Sequence, residues 1–243
     1  MRLQMIIDAT KCMNCKACVV ACQQRNGVPY GKNRNWVRET RTKSDVPSPL
    51  TPLSGIHYQP GNCMQCEDAP CVRACPTGAT FQDAEGVVLV RSDKCIGCGA
   101  CRDACPYDAR FRHPQTLIMD KCDFCASSRA AGLEPACVTV CPTHARLFGD
   151  ADAPDSPVAH ALREQKITHI MGKEHGTRPS VAYIGGTSPT DWPHAATLPA
   201  PLRFMPPIAT AIHWTGGIVL GGILAVALRQ LLPQKKTGQS DDT

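Results

Sequence analysis

The run Cys95-Ile-Gly-Cys98-Gly-Ala-Cys101-Arg-Asp-Ala-Cys105-Pro106 decides how this chain folds. Three thiolates two residues apart can wrap a short loop around one iron-sulfur cube, while the fourth, three residues further on, points away toward a second cube. Such a motif therefore needs a partner. The chain has three more: Cys12, Cys15, Cys18 and Cys22 repeat the spacing unchanged, Cys63, Cys66, Cys71 and Cys75 widen the middle gap to four residues, and Cys122, Cys125, Cys137 and Cys141 widen it to eleven. The opening CxxC and the closing CxxxC survive in all four groups, so the insertions fall at one place only.

Pro76, Pro106 and Pro142 follow the last cysteine of three groups, the CP ending of bacterial two-cluster ferredoxins, whereas Cys22 is followed by Gln23. A proline there removes a backbone donor and turns the chain away. The frame continues as Cys75-Pro-Thr-Gly-Ala79, Cys105-Pro-Tyr-Asp-Ala109 and Cys141-Pro-Thr-His-Ala145, which points to duplication. Zinc needs only two CxxC pairs per site and leaves the third and fourth cysteines of each group unexplained, and a disulfide scaffold gives no reason for the bunching. Sixteen thiolates, four per cluster, close on four [4Fe-4S] clusters with no cysteine left over as a nucleophile. A CxxxCxxC signature with an open iron would need cysteine where Arg25, Gly78, Asp108 or His144 stands. These centres move electrons, and no catalytic residue is expected.

At 243 residues the chain has room for one or two domains. Aromatic residues make up only 5% of it, so large side chains cannot supply most of the core, and the 43% apolar share is too high for intrinsic disorder. The net charge of +5 comes from 26 basic and 21 acidic residues spread along the sequence, without the basic block of a nucleic-acid arm. No nucleic-acid partner is expected.

The expected fold class is α+β: two ferredoxin-like lobes, each holding two [4Fe-4S] clusters, with inserted loops and one C-terminal transmembrane helix. A four-cluster domain spans residues 1–150, with lobe one from 1–30 and 115–150 and lobe two from 57–113. Residues 151–203 form an extension and linker, 204–232 the membrane helix and 233–243 a polar tail. Met5 to Ile7, Gly86 to Val90 and Leu117 to Met119 read as strands ahead of motifs, and a short helix should start between the third and fourth cysteine of each group. Lys32 to Leu53 reads as a long polar inserted loop, Ser156-Pro157 as the start of a helix running to about Lys166, and Val181 to Ile184 as an edge strand. Phe204 to Leu228 carries no formal charge over 25 residues, and from Ile208 it would rise about 31 Å as a helix, enough to cross a bilayer. It ends fifteen residues before the C-terminus and so is not a signal peptide; Gly217 and Gly221 offer a GxxxG face to another helix. Arg229, Lys235 and Lys236 follow it and only Arg203 lies close before it, which puts the C-terminus in the cytoplasm and the cluster domain on the outer, periplasmic face. The first residues show no signal, so an outward domain would travel folded with a signal-bearing partner; the alternative is the cytoplasmic face.

The four groups, in this order and with these gaps, resemble the four-cluster iron-sulfur (beta) subunits of the molybdopterin oxidoreductase, or dimethyl-sulfoxide reductase, superfamily. The resemblance is carried by Cys12-Met-Asn-Cys-Lys-Ala-Cys18, Asn62-Cys-Met-Gln-Cys-Glu-Asp-Ala-Pro-Cys71, Lys94-Cys-Ile-Gly-Cys-Gly-Ala-Cys101, and Lys121-Cys-Asp-Phe-Cys125 with Pro135-Ala-Cys-Val138. With its C-terminal span the chain is similar to the membrane-anchored beta subunits of respiratory formate dehydrogenases, although shorter. The resemblance implies that Cys12, Cys15, Cys18 and Cys141 hold one cluster and Cys122, Cys125, Cys137 and Cys22 its neighbour. It implies that Cys63, Cys66, Cys71 and Cys105 hold a third, and Cys95, Cys98, Cys101 and Cys75 the fourth.

The function so implied is that of an electron-transfer subunit, relaying electrons between a molybdenum or tungsten bis-pterin catalytic subunit and a quinone-reactive integral-membrane subunit, cytochrome b or similar. A membrane-bound hydrogenase or a cytoplasm-facing sulfur-compound oxidoreductase is the alternative setting. A self-contained redox enzyme lacks an open metal site, a nucleotide fingerprint or a spare nucleophile, and an anchored zinc protein is the remaining rival. Gly97 and Gly99, which bring backbone near sulfur, and Lys11, Lys94 and Lys121, which precede three motifs, are candidates for tuning the potentials. His144, in place of Gly78 of the sister motif, is a candidate donor to a cluster sulfur, and His213 could face a quinone or haem propionate in a partner.

Overall fold

The computed structural model describes residues 1–41, 56–170 and 176–185. Its first half contains β1 (Leu3–Asp8), α1 (Ala17–Asn26), β2 (Asn35–Arg41), β3 (Ile56–Asn62), α2 (Pro70–Arg73), β4 (Thr80–Gln82) and β5 (Val88–Val90). Beyond these lie α3 (Ala100–Asp103), β6 (Phe111–Arg112), β7 (Met119–Asp120), α4 (Ala126–Ala130), α5 (Ala136–Thr139), β8 (Arg146–Asp150), α6 (Pro157–Glu164), β9 (Ile167–Thr168) and β10 (Val181–Ile184). Successive strand side chains point to opposite faces, and β1 is buried on both. Leu3, Met5 and Ile7 join the core that holds many of the cysteines, while Ile6 meets Val158 and Ala161 of α6 on the other side. The four-stranded sheet β8-β1-β10-β9 is thus a wall with thiols on one face and a helix on the other.

Val181 to Ile184 is an interior strand of that wall, not an edge. It runs parallel to β1 from Met5↔Val181 to Asp8↔Ile184 and receives β9 antiparallel on its far side. The physical sign is its composition: Val181 and Tyr183 face the cysteine core, Ala182 faces α6, and no position is charged, the pattern of a strand covered on both faces. α6 begins where Ser156 and Pro157 place it, the Ser156 hydroxyl accepting from the Val158 amide at 3.3 Å, and it ends two residues before Lys166.

Lys32 to Leu53 is not loop throughout. Asn35 to Arg41 is β2, paired antiparallel with β3 from Asn35↔Asn62 to Arg41↔Ile56, and residues 42–55 lie outside the described residues. What makes a strand of this polar stretch is its partner: a side chain on Gly61 would meet the Trp36 indole at 2.5 Å, so β3 leaves room for that ring. Likewise Leu117 is a turn residue, at φ 59, whose amide donates to the His113 carbonyl at 2.9 Å; the strand starts at Met119.

A helix does begin at the third cysteine of every group. Beside Cys71, Cys101 and Cys137 it is a single turn of four residues, whereas α1 runs for ten. The prolines explain the difference, because the residue before a proline is driven out of the α region. Gln23 imposes no such stop. The CxxC loops repeat as well: Asn14, Gln65, Gly97 and Phe124, each before the second cysteine, are all left-handed, and so are Gly78, Asp108 and His144 after the CP pairs. Only glycine adopts this freely, so the other residues store strain of about 1–2 kcal/mol each. Gly97 is further constrained, since a Cβ there would collide with the Leu117 carbonyl oxygen. Gly97→Ala should cost about 3 kcal/mol from clash and strain together, a fall of roughly 6–12 °C in thermal unfolding followed anaerobically by circular dichroism.

Among the described residues no helix is long and apolar enough to cross a membrane. The candidate span at 204–228, with His213, lies outside them.

Candidate metal centres

The folding just described gathers cysteines distant in sequence. Cys12, Cys15, Cys18 and Cys141 line one cavity, with Lys16, Val37 and Arg146. Cys22, Cys122, Cys125 and Cys137 line another, with Asn26, Asp123, Arg34 and Phe124. In the remaining lobe Cys66 is electrostatically coupled to Cys63, Cys71 and Cys105. Cys75 and Cys101 meet at Thr80, whose amide donates to Cys75 Sγ at 3.4 Å and whose hydroxyl hydrogen-bonds Cys101.

These donors fit an iron-sulfur cluster better than a zinc ion. Among the described residues no three His, Cys, Asp or Glu converge on a point that would hold a single ion, whereas zinc draws its sulfurs to about 2.3 Å from one centre. Burial pushes the Cys22 thiol up to about 12, aided by Cys137 and Cys125, and it does the same to Cys105, aided by Cys63 and Cys71. Cys122, fully enclosed, is raised well above its ordinary value by burial and by Cys137 and Cys22. Thiolates crowded like this are stable only with a positive centre among them, so loading iron must release their protons.

The closing cysteines differ. Burial raises the Cys75 thiol, but the Thr80 amide and Thr77 outweigh it and hold the group down to about 7. At Cys141 burial is likewise outweighed, by Thr143 and by the Ala145 amide at 3.3 Å, and its thiol is lowered. Met119 donates its amide to Cys95 Sγ at 3.5 Å, and Asn26 Nδ2 lies 3.5 Å from Cys22 Sγ and 3.6 Å from Cys125 Sγ. Such hydrogen bonds to sulfur are a lever on cluster potential.

Cations complete the surroundings. Arg110, buried, donates from Nη2 to Cys71 Sγ at 3.0 Å and from Nη1 to the Thr80 hydroxyl at 3.4 Å, while its Nε finds no partner among the protein atoms. Arg146 donates from Nη1 to Asn62 Oδ1 at 2.9 Å and from Nη2 to the Gly61 carbonyl at 3.4 Å. Burial lowers both guanidinium groups, but the thiols outweigh it, Cys71 and Cys101 foremost at Arg110 and Cys137 and Cys18 at Arg146, so both are raised. Lys121 is also buried, its Nζ donating to the carbonyls of Val88 and of Cys122, the latter at 2.7 Å. Arg34 differs from these three in pairing with Asp120 at 2.8 Å and Asp123 at 3.3 Å.

Of the three lysines that are candidates for tuning, Lys121 alone is enclosed; Lys94 is exposed, and Lys11 is exposed and paired with Asp8 at 3.4 Å. Gly97 faces the Leu117 carbonyl, and Gly99 the Arg102 side chain. The His144 ring is exposed and its residue occupies the left-handed position of Gly78, which makes it a turn residue of the frame. Arg110 and Arg146 escape a reading of the cysteines alone. Their signal is nonetheless in the frame, because each stands five residues after the cysteine of its CP pair, where Thr80 stands in the third such segment.

Comparison with known proteins agrees with this geometry. Two 4Fe-4S dicluster domain families match, one over residues 11–79 and the other over residues 55–151. The thiosulfate reductase electron transfer subunit PhsB of Salmonella typhi is 46% identical over 185 residues, 76% of this chain and 88% of that protein. A polysulfide reductase chain of Wolinella succinogenes is 41% identical over 183 residues, covering 74% of this chain and 92% of its own length. A tetrathionate reductase subunit of Salmonella typhimurium is 38% identical over 185 residues, 76% of this chain and 72% of that one.

Proposed function

Since this protein belongs to the iron-sulfur electron-transfer subunits of the molybdopterin oxidoreductase superfamily, we propose that it carries electrons between a molybdenum or tungsten bis-pterin catalytic subunit and a quinone-linked membrane subunit. The observation that carries this reading is the gathering of the thiols, with Cys141 brought to Cys12, Cys15 and Cys18, and Cys22 to Cys122, Cys125 and Cys137. Each set would hold one [4Fe-4S] cluster, as would Cys63, Cys66 and Cys71 with Cys105, and Cys95, Cys98 and Cys101 with Cys75. A bound cluster supplies one-electron transfer. The chain's own residues fix its surroundings: amides and threonines donate to sulfur, buried cations offset thiolate charge, and the sheet wall keeps out water.

Burial gives the four sets an order. Cys15 and Cys98 are exposed, whereas Cys22, Cys122, Cys125 and Cys137, and Cys63, Cys66 and Cys71, are buried. Electrons would enter and leave beside Cys15 and Cys98 and pass through the two inner sets, which adjoin at Cys63 and Cys122. The named relatives act with tetrathionate, thiosulfate and polysulfide, which favours a sulfur compound as substrate of the catalytic partner. The uncharged stretch at 204–228 supports an anchor in the membrane, and Arg229, Lys235 and Lys236 after it support an outward-facing cluster domain.

The test is metal analysis of the protein purified anaerobically from mild-detergent membranes with its companions. About 16 iron per chain is expected from four clusters of four, with near-stoichiometric molybdenum or tungsten. Full iron with neither metal would move the protein to a hydrogenase-type partner, and zinc in place of iron would end the electron-transfer reading. In cells lacking the membrane subunit the full chain should stay with washed membranes and a chain deleted for residues 204–232 should not, and release of both would remove the anchor.

A further inference from the structure

Among the described residues only three lysines or arginines are fully buried, Arg110, Lys121 and Arg146, at 5%, 3% and 2% exposure. No carboxylate among the described residues pairs with any of them. A buried cation without a counter-ion is expelled from a fold unless something of opposite sign lies close by. Each therefore marks where negative charge accumulates.

Their places are regular. Arg110 spans the two cysteine sets of its lobe: one nitrogen is on Cys71 Sγ and the other on Thr80, whose amide holds Cys75. Arg146 lines the cavity of Cys12, Cys15, Cys18 and Cys141 and also lies in the field of Cys137 and Cys122, which belong to the neighbouring set. Lys121 stands between the lobes, on the carbonyls of Val88 and Cys122. Gln65, which sits between Cys63 and Cys66, ties the same two residues together, its Nε2 donating to the Cys122 carbonyl at 2.7 Å and its Oε1 accepting the Val88 amide at 2.8 Å.

We infer that these three residues form a ladder of fixed positive charge interleaved with the four clusters, one cation in each of the three gaps, which offsets the repulsion between electrons on neighbouring clusters. The inference rests on the pairing of cysteines proposed above. Its purpose follows from charge alone. An electron on one thiolate-held cluster disfavours a second on the next, and in a low-dielectric interior that penalty is large. A cation in the gap favours the reduced form on both sides, so successive clusters can be filled without stalling the flow.

The experiment is a potentiometric titration of the intact complex, followed by electron paramagnetic resonance, with Lys121→Met and Arg110→Met. Lys121→Met should reduce the affinity for an electron about tenfold, about 59 mV for a one-electron couple, at the two inner clusters and leave the outer two in place. Arg110→Met should shift a different adjacent pair, and Lys121→Arg should restore the original values. A merely structural role would not sort its effects by neighbouring pairs. Four unmoved potentials in a fully loaded variant, or a uniform shift of all four, would overturn the ladder. If Lys121→Met loads fewer clusters, Lys121→Gln, which can still donate to a carbonyl, is held to the same two criteria. Wild-type protein with fewer than four reducible clusters would overturn the pairing itself, and a full wild-type set with unresponsive variants would overturn the ladder alone.

Discussion

Cys137→Ala is expected to remove one cluster, lowering iron from about 16 to about 12 per chain, and to cut quinone-linked turnover at least a hundredfold. Cys137 is fully buried on α5 and lines the cavity it shares with Cys22, Cys122 and Cys125. Little beside it can take its place: Asn26 and Arg34 are donors, Phe124 is apolar, and the Asp123 carboxylate of the same cavity is engaged by Arg34 at 3.3 Å and by the Cys125 amide at 2.9 Å. An inner gap then separates the lobes, which is why the effect on turnover exceeds the loss of iron. Cys98→Ala, by contrast, opens an exposed site and should spare the inner pair. Iron and sulfide analysis together with a quinol-coupled assay reads both, and a Cys137→Ala variant with full iron would break the proposed ligand set.

Stripping the iron anaerobically with a chelator should abolish the tertiary fold of residues 1–150. The core is the reason. Nine of the sixteen cysteines belong to its buried residues, and the large fully enclosed side chains are few, chiefly Tyr107, Tyr183, Phe124, Met5 and Met64. Without a cluster the same residues would surround cavities, with Arg110, Lys121 and Arg146 left as unpaired charges, and breaking a buried pair costs about 3–5 kcal/mol each time. That sum is comparable to the roughly 5–15 kcal/mol stability of an ordinary domain. Near-ultraviolet circular dichroism should collapse as iron is lost, and a metal-free protein that kept its spectrum and a cooperative thermal transition would refute the dependence. Acid should hasten the loss, since ligating thiolates must be deprotonated.

Cysteine spacing alone exposes the motifs and the helix at each third cysteine, because that chemistry is local: the opening CxxC and the closing CxxxC are each set within a few residues. What escapes it is set by contacts far along the chain. Lys121 looks like Lys11 and Lys94 in sequence, each standing before a CxxC, and only the arrival of Val88 on β5 and of Gln65 encloses it. β2 is masked by its charges, since the glycine that accommodates Trp36 lies at position 61. Arg110 and Arg146 are legible in principle, five residues after a CP cysteine, but only once the repeated frame is followed past its alanine. β10 is recognisable as a strand and not as an interior one, because an apolar tetrapeptide does not name its neighbours.

The position of β10 has a consequence for how the protein is made. β1 leaves the ribosome long before β10, yet one of its two flanking strands ends at Ile184. At 5–20 residues per second the interval is about 9 to 35 s, during which the wall behind the thiols has an open edge. Nascent chains must cross that interval with cysteines accessible to oxygen and to one another. Cluster delivery is therefore best timed to the end of synthesis, and oxygen exposure during translation should harm yield far more than the same exposure of the finished protein.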